Sequence, residues 1–356
     1  MNSERIARVV EGMKKANLPC IIVSDPHSVY YLTGRMIHPG ERMLALAVFD
    51  SGETKLFVNR LFAQQPEENL PLIEFDDTDD CVELLARALP KGKVGIDKNW
   101  PSQFTIRLME ARSDIRPALG SVPVDDARMK KGTDEREAMR VSSRMNDETL
   151  SKLIPTIKAG ETELEIGQRY VEIGKSLGAQ GYSFPPLICF GANGAEPHHG
   201  TDGTALKDGD MIILDVGLNV NGAMSDMTRT VVLGRATDEQ KEVYELVKAA
   251  NKAARSIVAP GVPLCQIDAA ARRVITEAGY GDKFIHRTGH GIGLETHEPP
   301  DVSSASKYVA QPGMIFSIEP GIYLPGKFGV RIEDLVLVTE DGCETLNRLP
   351  RDLIEL

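Results

Sequence analysis

Near the N-terminus, Ile6, Val9, Val10 and Met13 recur at the spacing of one helical face, and Ser3 is placed to cap that helix. Short apolar runs follow. Residues 20–23 read as a buried strand. Residues 44–49 and 55–58 read as two more, turned at Ser51-Gly52. Residues 82–89 read as a helix and 93–96 as another short strand, so the first part of the chain is predicted to be α/β. A charged, glycine-containing stretch at 124–133 marks a boundary, giving expected domains 1–125 and 126–356. Thr133 then opens a long polar helix with Asp134 and Glu135 in its first turn. From there helices are followed by strands, which predicts α+β rather than a doubly wound sheet.

Two of those strands carry acids. The apolar segment 211–217 runs into Asp215 and Gly217, and segment 223–232 carries Asp226. Between them, Asn221-Gly222 is a strong hairpin signal. A turn centred there sets Asp215 opposite Thr228 and Asp226 opposite Gly217. Both acids then share one face, and Gly217 is expected to leave open space beside Asp226. Acids converging beside apolar strand need a cation, a shared proton or water. A solvated hairpin acid is the bland alternative for Asp226.

Segment 284–298 holds three of the seven histidines, His286, His290 and His297, among glycines that let backbone approach a bound group. Imidazole there could ligate a metal or shuttle a proton. Segment 313–321 is a further apolar strand ending in an acid, Glu319. Segment 329–338 carries Arg331 and Glu333 on one strand face and Asp334 on the other. Taken singly these acids could be surface groups, and Arg331–Glu333 a structural pair. Together, Asp215, Asp226, His290, Glu319 and Glu333 form an oxygen-rich set with one imidazole. It suits Mn(II), Fe(II), Co(II) or Zn(II), and two divalent ions balance four carboxylates. A water between two such ions can become hydroxide near neutral pH, a hydrolytic nucleophile.

Composition narrows the partners. The 356 residues suit two domains. A net charge of −11 and 5% aromatic residues argue against nucleic acid or an anionic membrane as partner. No stretch reaches the roughly 18 apolar residues of a bilayer span, and the first residues lack the apolar run of a signal peptide. The five cysteines are scattered and form no CxxC pair, which argues against a disulfide framework or a zinc knuckle. Buried reduced thiols and a cytoplasmic location are expected.

The segments IILDVG, SDMTRTVVLG, HRTGHGIGLETHEPP, FSIEPGIY and GVRIEDLVLV, in that order across about residues 211–338, closely resemble the pita-bread metallopeptidase family. That family includes prolidase, aminopeptidase P and methionine aminopeptidase. The segment 193–199, ending His198-His199, resembles a further family motif. Tyr30-Tyr-Leu-Thr-Gly34 resembles the creatinase-like first domain of prolidases and aminopeptidases P. The resemblance implies a pita-bread α+β domain behind a smaller α/β creatinase-like domain, and a homodimer. It implies two divalent ions, Mn(II) first, held by Asp215, Asp226, His290, Glu319 and Glu333, with Asp226 and Glu333 bridging. Glu319 would also relay protons from the attacking water. His198 and His297 would hold substrate and stabilise the oxyanion, and Arg331 would sit near the metals or meet the substrate carboxylate. The implied reaction is hydrolysis of Xaa-Pro bonds in dipeptides, with aminopeptidase P activity on longer Xaa-Pro peptides, or hydrolysis of a non-peptide C–N bond, as alternatives. Creatinase lacks this metal set, and a catalytically dead binding relative would have lost ligands. Two departures stand out. Phe190 replaces a smaller residue and is expected to pack beneath the pocket. The loop His38-Pro39-Gly40-Glu41-Arg42 differs from Asp-Pro-His-Glu-Arg of some prolidases, which leaves its part in substrate reading open.

Overall fold

A computed structural model describes all 356 residues, which form two compact units, Met1–Arg128 and Met129–Leu356. The first unit contains α1 (Ser3–Lys15), β1 (Cys20–Val23), α2 (Pro26–Thr33), β2 (Ala45–Phe49), β3 (Thr54–Asn59), β4 (Leu72–Phe75), α3 (Cys81–Ala88), β5 (Gly92–Ile96), α4 (Ser102–Ala111) and β6 (Ile115–Leu119). The division falls at the end of α5 (Val122–Met129). Six strands make one mixed sheet in the order β4-β3-β2-β1-β5-β6. The strands that pattern reading misses, β4 and β6, are the two edges. Their residues are partly exposed, so neither shows an apolar run. In α1 the four spaced apolar residues are buried as expected, but the cap is Asn2 rather than Ser3. The Asn2 side chain accepts from the Arg5 backbone N–H, so the helix begins one residue earlier.

The second unit opens with α6 (Thr133–Leu153) and α7 (Glu163–Ser176). Then come β7 (Gly181–Tyr182), β8 (Leu187–Phe190), β9 (Met211–Val216), β10 (Leu218–Val220), β11 (Ala223–Met224) and β12 (Met227–Val232). Two helices, α8 (Asp238–Ser256) and α9 (Leu264–Glu277), precede β13 (Gly289–Gly291), β14 (Glu298–Val302), β15 (Ile315–Ile318), β16 (Gly321–Leu324), β17 (Phe328–Arg331), β18 (Asp334–Val338) and β19 (Cys343–Thr345). The sheet β14-β13-β15-β18-β19 packs with α8 and α9 through Val243, Val247, Ile267, Phe316 and Val336, all fully buried. Burying each such side chain contributes about 1.5–3 kcal/mol. That makes a firm floor for residues at the strand ends. No helix is long and apolar enough to cross a membrane.

The hairpin expected around Asn221-Gly222 is present. Val220 pairs with Ala223, both turn residues have positive φ (53° and 83°), and Thr228 lies opposite Asp215. It is not one continuous ladder, however. Strands β9 and β12 pair in a sheet with β8, while β10 and β11 pair in a second sheet with β7. The chain changes sheets at Gly217 and again at Ser225-Asp226. Gly217 does not border open space: a Cβ there would lie 2.0 Å from both Ser183 Oγ and Ser225 O. Glycine is needed because the chain crosses between sheets against neighbouring atoms.

Helix α6 is polar in sequence, yet Ser142, Asn146 and Thr149 are fully buried. Ser142 Oγ donates toward Leu218 O and Ala223 O, and Asn146 Nδ2 donates to Val216 O at 2.9 Å. The Tyr170 hydroxyl, on α7, donates to Asn146 Oδ1 at 2.6 Å. Helix side chains thus hold the hairpin where its ladder is interrupted. Asn146→Ala should leave two buried groups short of a partner and cost about 2–3 kcal/mol. Urea unfolding should show a lower midpoint at an unchanged m value; an unchanged midpoint would contradict this bracing.

Candidate metal centre

Four of the five proposed ligands sit where strands end or break, and the fifth, His290, lies beside a shift in pairing register. Asp215 is the penultimate residue of β9, and Asp226 lies in the gap before β12. His290 is the middle residue of β13, Glu319 follows β15, and Glu333 occupies the gap between β17 and β18. Those gaps free the side chains to converge. All five line one cavity of about 470 Å³, together with His198, His297 and Arg331. His290 Nε2 lies 3.4 Å from Glu319 Oε1 and 3.7 Å from Asp226 Oδ2. Donor atoms of Asp226, His290 and Glu333 fall within 4.8 Å of one another. His290 Nδ1 lies 3.1 Å from Gly291 O, which favours the Nδ1–H tautomer and turns the Nε2 lone pair toward the carboxylates.

Asp226 is 3% exposed, so the solvated hairpin acid is excluded. The alternative Arg331–Glu333 pair is replaced by two other contacts. Arg331 Nη2 pairs with Asp215 Oδ2 at 2.6 Å, and Glu333 Oε2 accepts from Thr228 Oγ1 at 2.7 Å. The other Arg331 nitrogens are engaged as well, Nη1 with the Tyr323 hydroxyl and Nε with Thr228 Oγ1. The strand expected over 329–338 breaks after Arg331, but its faces are as expected. Arg331 and Glu333 face the cavity, while Asp334 turns away to Arg229 and Arg351. Burial pushes the Asp334 carboxyl up, but Arg229 and Arg351 outweigh it and hold it below the usual range. Arg229 also donates to the carbonyls of Thr228 and Glu333, tying two ligand-bearing segments together.

The electrostatics call for cations. Burial, then Glu333, Asp215 and Glu319, push Asp226 well above the carboxylate range. Burial, then Glu319 and Asp215, do the same to Glu333. Burial is also the main reason that Glu319 is pushed up to about 7, with Arg331 opposing and Asp215 adding to the rise. Burial and His297 push His290 down to about 3, so its imidazole is neutral and able to ligate. Three buried oxygens, Asp215 Oδ1, Asp226 Oδ1 and Glu333 Oε1, have no hydrogen-bond partner. Unpaired carboxylate oxygens around a neutral imidazole fit divalent metal ions.

At the mouth, the rings of His290 and His297 meet edge-on with centroids 4.2 Å apart. His198 is exposed on the segment after β8. That segment is pinned by a residue that sequence reading passed over. The buried Glu163 carboxylate accepts from Phe190 N, Asn193 Nδ2 and Asp202 N at 2.8, 2.9 and 3.0 Å. In sequence Glu163 looks like any first-turn acid of a helix. Phe190 packs in the core beneath, 2% exposed.

Residues 137–340 match metallopeptidase family M24, and residues 5–130 match the Creatinase/Prolidase N-terminal domain. The chain belongs to metallopeptidase family M24. Its second unit has the pita-bread fold of that family, and its first is the creatinase-type domain. M24 enzymes use divalent metals, in keeping with the donor set. The Xaa-Pro dipeptidase of Pyrococcus furiosus is 32% identical over 99% of each chain. The prolidase structure from Thermococcus sibiricus superposes with a TM-score of 0.93 at 33% identity over the whole of both chains. Dipeptidase PepE from Mycobacterium ulcerans gives 0.93 at 32%, covering 99% of this chain and 96% of that one.

A pH dependence follows for this M24 chain. Without metal, the folded Glu319 holds its proton between its ordinary value of 4.5 and about 7, whereas the unfolded chain has lost it. The contribution is complete below 4.5 and is lost as pH rises through about 7. Asp226 and Glu333 act in the same direction. Calorimetric melting of chelator-stripped and metal-loaded protein should show a Tm gap that widens from about pH 5 to about pH 8. A gap independent of pH would contradict this assignment of the carboxylates.

Proposed function

We propose that this chain is a dinuclear Xaa-Pro dipeptidase. The observation that carries the reading is the joint placement of four carboxylates, one neutral imidazole and two mouth histidines on a single cavity. Full-length similarity to an Xaa-Pro dipeptidase and to prolidase structures supports the substrate class. Asp215, Asp226, His290, Glu319 and Glu333 would hold the two ions. Mn(II) is the first candidate, with Co(II), Zn(II) and Fe(II) as alternatives. When bound, such a pair supplies Lewis-acid activation of water and of the scissile carbonyl.

The chain's own groups do the rest. Glu319 Oε1 is held by Ser317 Oγ at 3.0 Å, which leaves Oε2 to take a proton from the attacking water and return it to the leaving nitrogen. His198 and His297 donate to the carbonyl oxygen as it becomes an oxyanion, an interaction often worth about 3 kcal/mol of barrier. Arg331 fixes Asp215 and is itself fixed by Tyr323. Proline's tertiary amide and fixed φ make Xaa-Pro bonds awkward for general peptidases, and a dedicated site answers that need. A cytoplasmic homodimer completes the proposal.

The test is hydrolysis of Ala-Pro beside Ala-Pro-Ala by stripped protein reloaded with Mn(II), Co(II) or Zn(II). Metal-dependent cleavage confined to the dipeptide is expected, and Asp226→Asn should lower it by at least about 100-fold. Preference for the tripeptide would move the assignment to aminopeptidase P. Cleavage of neither would sink the proline-peptidase reading.

A further inference from the structure

The substrate of a dipeptidase carries a free carboxylate next to the scissile bond, and a cation must receive it. Arg331 is poorly placed for that. It is 3% exposed, and each of its three nitrogens already donates within the protein. The cavity has a second arginine, Arg287, three residues before His290. A neighbouring cavity of about 530 Å³ is also lined by Arg287 and His297, so these two residues stand between the spaces.

The Arg287 backbone is held while its side chain is loosely held. Its carbonyl accepts from His286 Nδ1 at 2.7 Å. The guanidinium pairs with Asp301, which lies opposite His290 in the β13–β14 ladder. The side chains of this pair are 36% and 58% exposed, so the pairing is weak and exchangeable. The charge is nevertheless close to the reacting centre. Arg287 lines the same cavity as His290, His297 and Glu319.

We infer that Arg287 binds the C-terminal carboxylate of the substrate, exchanging Asp301 for it as the dipeptide enters, and so sets the preference for dipeptides. The planar guanidinium offers the paired donors that a carboxylate matches. A longer peptide presents an amide at that point and leaves the Arg287–Asp301 pair intact. The inference rests on the Xaa-Pro dipeptidase reading.

The test compares kcat and KM for Ala-Pro and Ala-prolinamide, which differ in that carboxylate alone. Wild type, Arg287→Met, Arg287→Lys and Asp301→Asn are measured metal-loaded, with metal content and melting temperature checked. Wild type should favour Ala-Pro by about 30-fold in kcat/KM. Arg287→Met should bring that ratio to within about threefold of unity, through KM, and Arg287→Lys should keep part of it. Asp301→Asn should lower KM for Ala-Pro, a gain that misfolding does not mimic. A ratio preserved in Arg287→Met, or equal kcat losses on both substrates, would overturn the inference while leaving the dipeptidase reading intact. Failure of wild type on both substrates would overturn that reading, and the inference with it.

Discussion

Like charges do not stay ionised side by side in a water-poor space. Asp215, Asp226, Glu319 and Glu333 share such a space with a single buried cation, Arg331, which is committed to Asp215. Three of their oxygens accept no hydrogen bond. In the bare protein the balance is met by holding protons, which is why Asp226, Glu319 and Glu333 all bind theirs more tightly than usual. Divalent ions would replace those protons and satisfy the unpaired oxygens together. Neutral His290 completes the set, because the burial that penalises carboxylate charge also penalises imidazolium.

Holding such a set apart from water takes rigidity, and the surrounding polar contacts supply it. Arg229 and Asp334 lock the backbone on either side of Glu333 from behind. Ser317 receives the His290 amide and donates to Glu319, joining two candidate ligands through one hydroxyl. Thr228 meets both Glu333 and Arg331. Removing any one of these would leave a buried charge or carbonyl short of a partner.

Local chemistry made part of this legible in advance. The Asn221-Gly222 turn fixes register by itself, so the pairing of Asp215 with Thr228 could be read from spacing. The apolar runs before Asp215 and Glu319 likewise reveal strands that deliver acids at their ends. What stayed hidden depends on contacts distant in sequence. The switch of sheets at Gly217 arises from Ser183 and Ser225 closing around it. The buried polar face of α6 is invisible until the interrupted hairpin is known. The partner of Arg331 lies 116 positions away on β9, whereas spacing alone suggested Glu333. Glu163 gave no signal, since a first-turn acid usually serves the helix itself.

On the proposed reading, the buried carboxylates serve to hold two divalent ions. Crystals of the Mn(II)-loaded protein measured at the manganese absorption edge test it most directly. Two anomalous peaks per chain are expected, both within the cavity and within ligand distance of the Asp215, Asp226, His290, Glu319 and Glu333 side chains. Peaks elsewhere on the chain, or none in the cavity at saturating Mn(II), would contradict it.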